Sequence, residues 1–185
     1  MGEIDDAIER ADREGFTRQP PKTLQARINF LMKQLRTTKA VAQEIGVSQR
    51  SVERYRTGER KHPPQAIAER IDAAVRARWQ PQVRRRRRKQ AATTTGITVE
   101  TRARFGYTAP VGTTDDGRFR RLTVHLPPAY AQRLFDARNT GASDQEMRGI
   151  IAEGLKEIYF QDGGARALGL TDVTLNDIDY LDLDY

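Results

Sequence analysis

Cysteine is absent from the 185 residues, which excludes disulfide scaffolds, zinc ribbons and cysteine nucleophiles. Histidine is nearly absent: His62 and His125 are the whole supply, too few for a His-rich metal site. No Gly-rich phosphate loop, paired-His motif or Ser-His-Asp arrangement stands out, so enzyme readings are weak. No apolar run approaches the ~18–20 residues that a bilayer span needs, and no membrane partner is expected. The first 14 residues hold six acids and no apolar stretch, unlike a secretory leader. These absences lead to the expectation of a cytoplasmic chain.

Positive charge is plentiful and unevenly spread. The chain has 32 Lys+Arg against 25 Asp+Glu, a formal net charge of +7. Residues 15–92 alone hold 20 Lys+Arg and 5 Asp+Glu, whereas the first 14 residues and residues 93–185 are both net acidic. A basic block between acidic ends is the electrostatic footprint expected of a nucleic-acid partner.

Residues 4–13 read as a short acidic helix, which Pro20-Pro21 ends. Leu24, Ile28, Leu31, Met32 and Leu35 then recur at helical spacing. Thr38–Gly58 resembles a helix-turn-helix. Ala42 is small enough for close helix approach, Gly46 can take the positive φ of the turn, and Ser48 suits the cap of the second helix. Val41, Ile45, Val47, Val52 and Tyr55 are apolar where the helices meet the core. Gln49, Arg50, Ser51, Arg54 and Arg56 are left as the DNA-reading face of that helix, beside Glu53. Another helix follows Pro63-Pro64 and runs to Trp79. The run Arg84, Arg85, Arg86, Arg87, Arg88 and Lys89 is expected to be extended and solvated unless phosphate neutralises it; a nuclear-localisation signal is the textual alternative.

From Ile97 the apolar period switches to two. Ile97, Val99, Thr101, Ala103, Phe105 and Tyr107 alternate with polar residues, as do Leu122, Val124 and Leu126 after a turn-rich segment over 108–117. This predicts an amphipathic hairpin with a long, polar, mobile tip. Pro127-Pro128 starts a helix, and Ser143 with Glu146 forms a capping box before a stripe from Met147 to Tyr159. Strand, helix and capped helix over 120–160 follow the order of a ribbon-helix-helix unit, with the strand at 97–107 as a departure. The last 16 residues hold five acids and no base; they read as a mobile tail or as a docking peptide. The expected fold is therefore mainly α with a small β-hairpin: a helix-turn-helix domain over 1–80, an arginine-rich linker over 81–96, a hairpin plus helix pair over 97–160 and an acidic tail over 161–185.

Taken together, the helix-turn-helix after a short acidic N-terminus, the arginine run, Gly106–Gly117 and the Tyr-ending acidic tail resemble the terminal proteins that cap linear actinobacterial chromosomes and plasmids. The resemblance implies a telomeric protein joined to the 5′ end of DNA through a side-chain hydroxyl, which primes the end patch. It also implies a telomere-associated protein that recognises the 3′ overhang, and a host DNA polymerase. Thr114 is the hydroxyl to which the resemblance points, with Thr113, Asp115 and Asp116 beside it. Tyr107, Tyr180 and Tyr185 are rival nucleophiles. On this reading the chain is a primer and a substrate of deoxynucleotidylation, not the catalyst. It binds no cofactor of its own, and divalent metal and deoxynucleotide belong to the priming complex. Nucleoid association and a possible homo-oligomer complete these expectations. The other reading is a transcriptional or plasmid-copy regulator with no covalent chemistry.

Overall fold

A computed structural model describes residues 2–185. Among them are eight α-helices and one four-stranded antiparallel sheet, divided between two compact units. One unit is Phe16–Gln82; the other joins Met1–Gly15 to Val83–Tyr185.

The Phe16–Gln82 unit is all helical: α2 (Leu24–Leu35), α3 (Thr38–Ile45), α4 (Gln49–Thr57) and α5 (Gln65–Arg78). Side-chain caps start three of them. Thr23, Thr37 and Ser48 accept hydrogen bonds from the backbone N–H groups of Ala26, Ala40 and Ser51. Gly46 ends α3 in the left-handed region at φ 69°, as its position in the sequence predicts. Ile28, Leu31, Val41, Ile45, Val52, Tyr55, Ile71 and Val75 fill the core.

The second unit is built on β1 (Ile97–Ala109), which lies at the centre of the sheet. β4 (Asp172–Asp184) pairs along one edge of β1; β3 (Arg120–Leu126) and then β2 (Gly112–Asp115) pair along the other. One face of the sheet is covered by α7 (Pro128–Asn139) and α8 (Asp144–Leu155), with α1 (Glu3–Glu14) in the same core. α6 (Pro81–Gln90) leads through a π turn at Ala91–Thr95 into β1. The predicted alternation holds: Ile97, Val99, Thr101, Ala103 and Phe105 are buried, as are Leu122, Val124 and Leu126. The capping box at Ser143 and Glu146 forms as expected.

Four expectations are corrected. The acidic first helix shares its core with the sheet, not with α2–α5, because Ile4, Ala7, Ile8 and Ala11 form an apolar face that the sheet unit buries. The arginine run is helical, because carboxylates of the same unit neutralise one side of it. The segment at 108–117 is largely paired strand and not a long loop. β1 and β2 continue as a paired arm to Ala109 and Gly112, closed by the two residues Pro110 and Val111. The acidic tail is a 13-residue strand that completes the sheet and buries Val173, Leu175, Leu181 and Leu183. The strand-helix-helix order of β3, α7 and α8 is present, but β1 holds one edge of β3.

Candidate nucleic-acid interface and threonine arm

In the helical unit, α4 lies against α2 and α3 with Val52 and Tyr55 buried, so its other face is solvent-facing. Gln49 and Arg50 occupy its first turn, exposed and without a hydrogen bond or ion pair among the described residues. Gln49 borders an open groove of about 550 Å³ that Lys39, Gln43, Gly46 and Ser48 also line. Sequence reasoning missed Lys39 and Gln43; the signal for them is their place on the exposed side of α3, opposite Val41 and Ile45. Ser51 is half-buried, and its hydroxyl lies 3.0 Å from that of Ser48. Further along, Arg54 pairs with Glu59 at 2.8 Å and Arg56 with Glu53 at 2.9 Å. Only the start of α4 therefore presents unpaired polar and cationic groups from the predicted set.

The six-residue cationic run divides along the helical period. Arg84, Arg87 and Arg88 face inward. Arg84 meets Glu9 at 3.2 Å and Arg88 pairs with Asp12, a carboxylate only 1 % exposed. Arg87 donates to the carbonyl of Ala11 at 2.8 Å and to that of Tyr185, whose ring lies 5.2 Å below its guanidinium. Arg85, Arg86 and Lys89 are exposed and unpaired among the described residues. The expectation that all six side chains are free for phosphate is thus corrected to three.

The arm places its hydroxyls on opposite faces, since neighbouring side chains of a strand alternate. Thr113 pairs with Thr108, and the two hydroxyls lie 3.3 Å apart. Thr114 pairs with Tyr107 on the other face, is exposed, and has no hydrogen-bond partner among the described residues. Asp115 accepts from the side-chain amide of Asn176 at 2.9 Å. Asp116 accepts from Tyr107 at 3.4 Å and from Arg120. Its carboxyl is held below the usual carboxylate range, first by the Arg120 guanidinium and then by the Arg118 amide.

All three rival phenols are engaged. Burial raises Tyr107, and its hydroxyl is turned to Asp116. Tyr180 donates to Glu100 at 3.1 Å and is likewise raised by burial. Tyr185 donates to Asp12 at 2.7 Å, and burial with the adjacent carboxylate pushes it far above the ordinary phenol range. Among the described residues no three His, Asp or Glu side chains converge as metal ligands, and no helix is long and apolar enough to cross a membrane. Comparison with protein-family models, curated proteins and solved structures returns no match for this chain.

Proposed function

We propose that the protein binds duplex DNA through a helix-turn-helix formed by α3 and α4, and that it is a terminal protein whose Thr114 becomes joined to a 5′ DNA end. The first part is carried by one observation: Gln49 and Arg50 stand exposed and unpaired among the described residues in the first turn of α4, on a capped and tightly turned helix pair, and Gln49 shares a groove with Lys39 and Gln43. Arginine and glutamine there can make paired hydrogen bonds to guanine and adenine edges in a major groove, and lysine can take phosphate. Arg85, Arg86 and Lys89 supply further phosphate contacts that carry no sequence information.

The second part rests on the resemblance of the whole chain, and the arm supports it. A priming hydroxyl must enter a polymerase site from outside, and Thr114 is an exposed hydroxyl, without a hydrogen-bond partner among the described residues, on the edge strand β2 close to the Pro110-Val111 turn. In this reading telomeric DNA, a telomere-associated protein and a DNA polymerase are the partners, at the ends of linear replicons in the nucleoid. Metal and deoxynucleotide arrive with the polymerase, so the chain is substrate and primer.

The deciding experiment is recovery of the protein from cells after exhaustive nuclease treatment, followed by mass mapping of the peptide over residues 105–118. A nucleotide adduct on Thr114, abolished in Thr114→Val while DNA affinity is retained, is expected. Protein that binds DNA specifically yet carries no adduct is instead the transcriptional or plasmid-copy regulator.

A further inference from the structure

We propose that Asp116, and not Asp115, is the positioning residue that orients the Thr114 hydroxyl and receives its proton; this rests on the reading of Thr114 as the linked residue. The two aspartates are neighbours in sequence and equal in chemistry, and the register of the arm separates them. Gly106 pairs with Asp115 and Tyr107 with Thr114, so the Asp115 side chain leaves the face that carries Thr114. There its carboxylate is taken by Asn176. The Asp116 N–H donates to the Phe105 carbonyl at 2.8 Å, which continues the ladder by one residue. Asp116 thereby returns to the Thr114 face, about 6.6 Å further along the strand, two residues at ~3.3 Å each. Tyr107, opposite Thr114, reaches diagonally to the Asp116 carboxylate, and Arg120 of β3 clamps it from the other side.

The surroundings are asymmetric in a useful way. Toward the tip, the next same-face position after Thr114 is Gly112, and a Cβ there would meet nothing within 4 Å. A triphosphate can approach Thr114 from the tip while the carboxylate stands on the far side. Asp116 is ionised at neutral pH, and Tyr107 and Arg120 both donate to its Oδ2, which leaves Oδ1 as the oxygen to receive the proton. An aspartate that accepts the proton of an attacking hydroxyl is a recurring part of phosphoryl transfer. Thr114 Oγ1 attacks the α-phosphorus of a deoxynucleoside triphosphate and an Oγ1–P bond forms. The bond from that phosphorus to the oxygen bridging to the β-phosphate breaks, and pyrophosphate leaves. The hydroxyl proton passes to Asp116 and from there to solvent. The charged and titratable groups facing Asp116 are Tyr107 from β1, Arg118 from the segment before β3, Arg120 from β3 and, behind Tyr107 and Arg120, Tyr159 from the turn after α8.

The test uses the full chain in an extract of the source cells supplied with magnesium and radiolabelled deoxynucleoside triphosphates at neutral pH. Asp116→Asn is expected to label on the order of 10²-fold more slowly than wild type. Asp116→Glu should recover part of the rate, and Asp115→Asn should label normally. Arg120→Gln separates orientation from support: it loosens the clamp but keeps the carboxylate, so it should retain most of the labelling. Equal losses in Asp116→Asn and Arg120→Gln would mean that the carboxylate only braces the turn, and would overturn the proposal. So would wild-type labelling in Asp116→Asn while Thr114→Val stays unlabelled; that result leaves the Thr114 reading intact. Absence of label from the wild-type Thr114 peptide would remove that reading and this one with it.

Discussion

Asp12 is the acid on which the sheet unit closes. Its carboxylate accepts from Arg88 and from the Tyr185 hydroxyl, with Arg84 Nε 3.8 Å away. A buried carboxylate is costly unless its oxygens are hydrogen-bonded, and removal of one partner leaves the opposite charge uncompensated. Asp12→Ala is expected to destabilise the unit by ~3 kcal/mol or more, whereas Arg85→Gln on the outer side of the same helix should stay within about 0.5 kcal/mol of wild type; chemical denaturation measures both. A second residue-scale prediction concerns Glu146, whose carboxyl is lowered by the Ser143 N–H and then by the Ser143 hydroxyl. A depressed folded pKa means that the charged cap stabilises above the unfolded carboxyl value near ~4.3 and that its contribution disappears as pH falls through the folded value. Glu146→Gln should therefore melt below wild type at neutral pH and coincide with it in acid. A gap that persisted at low pH would show that the charge plays no part.

At the scale of elements, α6 shows how one cationic run can serve two ends. Its inner side replaces apolar packing with guanidinium-carboxylate and guanidinium-ring contacts, including Arg88 5.7 Å from the Phe135 ring. Its outer side is open to solvent. Replacement of Arg85, Arg86 and Lys89 with Gln is expected to leave the melting temperature unchanged. It should also flatten the salt dependence of DNA binding, by roughly 0.9 in log–log slope for every phosphate that the helix no longer neutralises. Replacement of Arg84, Arg87 and Arg88 should instead unfold the sheet unit. A steep, unchanged slope in the first triple variant would remove α6 from the DNA interface. The last helix is core on its inner side: Leu155 is 0 % exposed, and Gly154 lets α8 approach Leu126 so closely that a Cβ would come within 2.8 Å of it. Leu155→Asp should abolish cooperative melting of this unit, because the charge would have no partner in the core.

For the whole molecule, two separately cored units follow different rules. The helical unit is continuous in sequence, so residues 16–82 expressed alone should fold and retain discrimination between DNA sequences, as circular dichroism and competition binding would show. Loss of sequence preference with helicity intact would mean that α4 is not the reading element. The sheet unit is assembled from both ends of the chain. Removal of residues 172–185 takes away one full edge of β1 together with Leu181 and Leu183, and should leave an unfolded or aggregating sheet unit, not a shortened one.

Local signals are enough for much of this. Caps at Ser48 and Ser143, the left-handed Gly46, the helical stripes and the alternation in β1 and β3 depend on neighbours within a few residues, and the sequence alone makes them legible. The exposed start of α4 is legible for the same reason. What depends on partners distant in the chain is not. The tail is a strand although its apolar residues break the period of two: bulges between Tyr180 and Leu175 shift the pairing, so that Val173, Leu175, Ile178, Leu181 and Leu183 all reach the covered face. Six consecutive cations form a helix only because Glu9 and Asp12, more than 70 positions away, lie against one side of it. Thr113 and Thr114 are interchangeable in a sequence, as are Asp115 and Asp116; only the register of β1 against β2 decides which hydroxyl and which carboxylate share a face.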